Sequence, residues 1–205
     1  IELAGSAVGA VPQGRQALLG DELAPGDEIV LIASSGLHAN GASLARLVAG
    51  GLPDGYRTRL PGGTELGEAL LAPSLIYVGL VRALLASAVE VHYLSHITGH
   101  GLLKLMRPRR ELSYEIERLP EVPEVLSFLV AQARMSVADA YRTFNMGAGF
   151  AVYCAAGQGE TVVELAAGLG CRAQVAGAVR EGPRRVVLSP LGITFGSRDL
   201  ELGLD

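Results

Sequence analysis

The 205-residue chain has one lysine, Lys104, against sixteen arginines. A Walker-type phosphate loop needs a lysine directly after its glycines. Lys104 sits in Leu-Leu-Lys-Leu-Met, so that class of nucleotide site is excluded. Phosphate handling then falls to arginines, backbone N–H groups or a metal. The arginine bias is equally what a GC-rich genome produces. Cysteine is almost as scarce: Cys154 and Cys171 have neither CxxC spacing nor enough company for a disulfide framework or a zinc site. The expectation is a reduced, cytoplasmic protein.

Long apolar runs are missing too. Arg82 and Glu90 interrupt the longest candidate before it reaches the roughly 20 residues a membrane helix needs. Ile1 is followed by no basic n-region and no apolar h-region, so it does not open a signal peptide. A net charge of −4 gives no bulk electrostatic reason to expect nucleic acid or an anionic membrane as partner. The six aspartates (Asp21, Asp27, Asp54, Asp139, Asp199 and Asp205) form no DxD-type cluster, and no metal site is expected within the chain.

What is present is a core: 49% of the residues are hydrophobic, which excludes disorder. Strands are expected over 28–33, 89–97, 111–118, 150–154, 173–179 and 185–188, and helices over 42–49, 64–71, 74–86, 123–134 and 160–167. Pro73 separates two of those helices, and Ser136 with Asp139 resembles a capping box for another. Strands alternating with helices, but with neighbouring strands near the C-terminus, predict an α+β fold: a mixed sheet with flanking helices.

Three segments carry chemistry. In Ser34-Ser35-Gly36-Leu37-His38-Ala39-Asn40-Gly41, between a strand and a helix, small residues let backbone N–H groups approach an anion. His38 and Asn40 can hold a substrate or move a proton. An ordinary Gly-rich turn with Asn40 as helix N-cap is the alternative. The second segment is His96-Ile97-Thr98-Gly99-His100-Gly101 at a strand end, where ligands of α/β sheets bind. His92, His96 and His100 suggest a metal by spacing, but four residues of extended chain span roughly 13 Å, too far for a shared ion. His92 is expected to be a buried side chain with a satisfied partner. In the third, Tyr141-Arg142-Thr143-Phe144-Asn145-Met146-Gly147, Arg142 can grip phosphate or carboxylate and Asn145 can offer both amide groups. Against this, composition alone favours Arg142 as a surface ion-pair partner and Asn145 in a left-handed turn.

SSGLHANG from Ser34, LAPSLIYV from Leu71, HITGHG from His96 and YRTFNMG from Tyr141 occur in the order found in aminoimidazole ribonucleotide (AIR) synthetase, also called phosphoribosylformylglycinamidine cyclo-ligase. The chain resembles that family over nearly its whole length. The resemblance implies that residues 23–205 are an AIR synthase-like C-terminal domain. It implies that residues 1–22, with Leu3 to Gly9 as a last strand, end an N-terminal ATP-binding domain. The implied reaction is ATP-dependent ring closure of formylglycinamidine ribonucleotide to aminoimidazole ribonucleotide in purine biosynthesis, by a cytoplasmic homodimer. The catalytic candidates are His38, Asn40, His96 and Asn145. The candidates for binding substrate or phosphate are Ser34, Ser35, Gly36, Gly41, Thr98, Gly99, His100, Gly101, Arg142, Thr143 and Gly147. ATP and Mg²⁺ are expected on the N-terminal domain, so the chain alone is expected not to complete the reaction.

Two features depart from the family pattern. His100 replaces a glycine, and Lys104-Leu-Met-Arg-Pro replaces a Glu-Asn-x-Pro-Arg stretch. They keep open a divergent relative with another substrate. Formylglycinamidine ribonucleotide synthetase, selenophosphate synthetase, thiamine-phosphate kinase and the hydrogenase-maturation dehydratase share the implied architecture. A non-catalytic binding or assembly domain is the remaining alternative.

Overall fold

The computed structural model describes residues 4–11 and 16–201. Its centre is a seven-stranded sheet built from β1 (Glu28–Ala33), β2 (Val91–His96), β3 (Leu112–Ile116), β4 (Ala148–Cys154), β5 (Ala173–Glu181), β6 (Arg185–Leu188) and β7 (Ile193–Gly196). Their spatial order is β2-β4-β1-β5-β3-β6-β7. Every neighbouring pair is antiparallel except β3 and β6, so the sheet is mixed, as the α+β expectation requires.

The period-2 alternation of side chains decides how the sheet is covered. Ile29 and Leu31 of β1, with Ala151 and Tyr153 of β4, face the larger core. Val30 and Ile32, with Phe150, Val152 and Cys154, face the second. The two central strands are therefore buried on both sides, which is why they read as continuous apolar runs. The larger core is closed by α1 (Ala42–Gly51), α2 (Leu66–Leu70), α4 (Glu124–Gln132), α5 (Val137–Thr143) and a 3-10 helix, Gly101–Met106. The second is closed by α3 (Val78–Ala86) and α6 (Gly159–Gly168). Burial there raises the Cys154 thiol to a pKa of about 12, so this cysteine is inert packing.

Several elements differ from expectation. The helix expected over 74–86 begins only at Val78, because the preceding residues are tied to β1: Ser35 Oγ donates to the Pro73 carbonyl at 2.7 Å and Tyr77 Oη to the Ala33 carbonyl at 2.8 Å. The capping box at α5 forms, with Ser136 Oγ accepting the Asp139 N–H at 3.1 Å. The strand β7 and the short helix α7 (Ser197–Glu201) were not foreseen. The segment matched to a last strand, Leu3 to Gly9, begins outside the described residues, and its described part, 4–9, carries no strand. A strand needs a ladder partner, and among the described residues none pairs with it.

Candidate functional site

The three chemical segments meet at one end of the sheet, and Asn145 joins two of them. Its side chain is completely buried. Oδ1 accepts from Ser34 Oγ at 2.7 Å and from the Gly147 N–H at 3.0 Å. Nδ2 donates to the Gly36 carbonyl at 2.9 Å and the Leu37 carbonyl at 3.3 Å. The first segment is thus clamped to the third through one amide. A second link runs from Asn40 Nδ2 to the Thr143 carbonyl, 2.9 Å. The HITGHG segment joins from the other side. Gly101, at φ 49°, lies so close to the Tyr141 and Phe144 carbonyl oxygens that any Cβ would overlap them.

Above this frame sits a group of rings. The Tyr77 ring centroid lies 5.2 Å from Phe150, 6.2 Å from His96 and 6.3 Å from His38. Gly149 permits the approach, since a Cβ there would collide with the Tyr77 hydroxyl. Ser35 N–H donates to His38 Nε2 at 3.0 Å, so the neutral ring carries its proton on Nδ1. Ser35 Oγ stands 2.9 Å from the same nitrogen. His38 Nδ1 and Asn40 Oδ1 are enclosed and have no hydrogen-bond partner among the described residues. Burial, then the charge of His96, lowers the His38 pKa. Burial, then the charge of Lys104, lowers that of His96. Both imidazoles are therefore neutral near pH 7 and able to accept a proton.

Residues 24–189 match the family model of the AIR synthase related protein, C-terminal domain. The chain belongs to that family. It is 37% identical over 190 residues to a phosphoribosylformylglycinamidine cyclo-ligase of Methanothermobacter thermautotrophicus, an alignment covering 92% of this chain and 55% of the relative. A protein of the same name from Methanobrevibacter smithii is 34% identical over 191 residues, with 91% and 55% covered. The chain thus spans about half the length of these curated relatives. A thiamine-monophosphate kinase from Stenotrophomonas maltophilia K279a superposes with a TM-score of 0.55 at 23% identity, over 87% of this chain and 54% of that one. That likeness is one of fold alone.

Within this AIR synthase-related domain the candidates separate by position. His38, Asn40, Ser35 and His96 lie on the partly open side of the frame, and Ser34, Gly36, Asn145 and Gly147 are inside it. Asn145 has every amide group occupied by protein, so it positions the loops. The left-handed residues of its turn are Met146 (φ 43°) and Gly147 (φ 95°), and Asn145 is not among them. Asn40 is not the N-cap of α1 either: Gly41 is, at φ 101°, because the Asn40 amide is drawn to Thr143 instead. Arg142 takes the ion-pair role, 3.9 Å from Asp139 and 3.8 Å from Asp199. His92 has its expected partner, with Nδ1 2.7 Å from the Asp27 carboxylate. Thr98, Gly99 and His100 line a separate concavity with Lys104, and Thr143 offers its carbonyl to Asn40.

Tyr77, the tyrosine of LAPSLIYV, is not among the sequence-predicted site residues, and its contacts to Ala33, His38 and His96 make it the spacer of the site. Among the described residues no three His, Cys, Asp or Glu side chains are grouped to hold a metal. Asp27 is taken by His92, while Asp139 and Asp199 are taken by Arg142. No described helix is long and apolar enough to cross a membrane.

Proposed function

We propose that this chain is the substrate-side half of a phosphoribosylformylglycinamidine cyclo-ligase, which closes the imidazole ring of aminoimidazole ribonucleotide at the expense of ATP. The observation that carries the reading is the convergence of SSGLHANG, HITGHG and YRTFNMG on one rim, through Ser34–Asn145, Asn40–Thr143 and the Gly101 contact. Ring closure requires a flexible substrate to be held folded and a nitrogen to lose a proton. The basic nitrogen of neutral His38 is Nε2, 2.9 Å from Ser35 Oγ, so a proton reaches it by way of that hydroxyl. The two unpartnered atoms, His38 Nδ1 and Asn40 Oδ1, are one donor and one acceptor left for a ligand when the loop adjusts.

Mg·ATP belongs, on this reading, to a domain outside residues 1–205, consistent with the 55% coverage of the relatives. Residues 1–22 are read as the end of that domain and 23–205 as the C-terminal domain. A cytoplasmic homodimer completes the proposal. Leu71, Ile76 and Val78, at 83%, 82% and 62% exposure, form an apolar face suited to cover by that domain or a second copy. The test is ATP-dependent conversion of formylglycinamidine ribonucleotide by the complete protein. We expect turnover, and a His38→Ala loss of about 10²–10⁴-fold. Absence of product, or an unchanged rate in the variant, would overturn the assignment.

A further inference from the structure

A pocket of about 550 Å³ opens beside the Thr98 turn, and four of the side chains lining it are cations: Lys104, Arg107, Arg109 and Arg184. No carboxylate is among the described residues that line it. Elsewhere on the surface arginines find acids, as Arg142 does with Asp139 and Asp199 and Arg180 with Glu115 and Glu117. None of the four pocket cations has such an ion pair among the described residues. The nearest acid in the hydrogen-bond network is Glu111, whose carboxylate accepts the Arg184 backbone N–H at 3.3 Å.

Two of the cations, Arg184 and Lys104, are held in place by hydrogen bonds, and Arg107 and Arg109 are exposed beside them. Arg184 Nε donates to the Met106 carbonyl at 2.8 Å and Nη2 to the Arg107 carbonyl at 3.2 Å, which fastens β6 to the end of the 3-10 helix. Lys104 Nζ donates to Thr98 Oγ1. Burial, then the charge of Arg107, lowers the Lys104 pKa, as expected when like charges share a confined space. Among the described lining residues no carboxylate offsets the repulsion within this group, and a bound anion relieves it. The volume lies within the range of small-ligand sites and exceeds the needs of a simple ion. The pocket begins at the Thr98 turn, two residues past His96 at the end of β2.

We propose that this pocket binds a terminal phosphomonoester, gripped by Lys104, Arg107 and Arg109 over the fixed Arg184, and so anchors the ligand whose reacting end lies against His96 and His38. The inference rests on the cyclo-ligase reading for the ligand being a ribonucleotide.

The test is calorimetric titration of the complete protein at low salt with ribose 5-phosphate, inorganic phosphate and unphosphorylated ribose. We expect ribose 5-phosphate to bind, ribose not to bind and inorganic phosphate to bind more weakly. Lys104→Glu and Arg109→Ala should each weaken ribose 5-phosphate by about 10–100-fold, the usual size of one charge-assisted contact. Arg118→Ala, exposed after β3, should leave it unchanged. Arg109 is exposed, so its truncation tests the idea without risk to the core. Wild-type affinity in both pocket variants overturns the proposal. So does inorganic phosphate binding as tightly as the ester, which would make this a site for free phosphate. Charge-dependent binding of the ester in a protein that forms no aminoimidazole ribonucleotide would sink the cyclo-ligase reading and keep the pocket. Turnover with an unchanged KM in Lys104→Glu would do the reverse.

Discussion

Replacing Asn145 by alanine separates a positioning role from a catalytic one. The substitution removes four hydrogen bonds, three of them between 2.7 and 3.0 Å, from a side chain with no exposure to solvent. Three good bonds at about 1 kcal/mol each, with about 1–2 kcal/mol more for leaving the buried Gly147 N–H without an acceptor, give a loss of about 4–5 kcal/mol. That is a large share of the roughly 5–15 kcal/mol that holds a domain together. With a urea m-value of about 2–3 kcal/mol/M, the unfolding midpoint should fall by about 1.5–2.5 M. Asn145→Asp should not rescue it, since a carboxylate would face the Gly36 and Leu37 carbonyls with no proton to donate. Equilibrium urea unfolding followed by circular dichroism measures both variants. If Asn145→Ala unfolded within about 1 kcal/mol of wild type while ligand binding was abolished, the loop-clamp reasoning would be refuted, and Asn145 would have to touch the substrate.

Two further outcomes follow from the same frame. Gly101→Ala should cost about 3 kcal/mol or more, because a Cβ there overlaps the Tyr141 and Phe144 carbonyls and φ is 49°. Gly168→Ala, in α6 with open space around it, should be neutral or stabilise by up to about 1 kcal/mol, and thermal unfolding compares the two. Stability should fall on acidification. His38 and His96 have folded-state pKa values below the unfolded value of about 6.5, so below that pH the unfolded chain takes up protons first. Melting temperatures should therefore be level from pH 8 to 7 and decline toward pH 5.5, and a His38→Gln, His96→Gln double variant should show a shallower decline. An equal decline in that variant would assign the acid sensitivity elsewhere.

Much of the architecture was legible because its signals are local. The run Glu28–Ala33 and the alternation of Leu112, Tyr114 and Ile116 are strand patterns wherever they occur, and Ser136 with Asp139 caps α5 without outside help. The start of α3 was misplaced because Tyr77 answers to the Ala33 carbonyl, a partner 44 residues away. The Arg142 ion pair with Asp199 could not be read locally, because Asp199 stands on a helix that was not foreseen. The cationic pocket was half visible: Arg107, Arg109 and Arg110 lie close together, as do Arg184 and Arg185, but nothing local brings one group to the other.

The sequence alone determined the residue types at the site, the order of the motifs, the kinds of element that carry them and, through those motifs, the family. These depend on composition and on spacings of two to four residues, where backbone periodicity acts directly. Tertiary structure decided which of those residues lie inside the frame and which stand on its partly open side. Asn145 and Asn40 are the same side chain in similar loops. One is saturated by four bonds within two segments, and the other keeps its carbonyl oxygen unpartnered. Whether a polar group is satisfied depends on neighbours about a hundred residues distant, and only the folded chain supplies them.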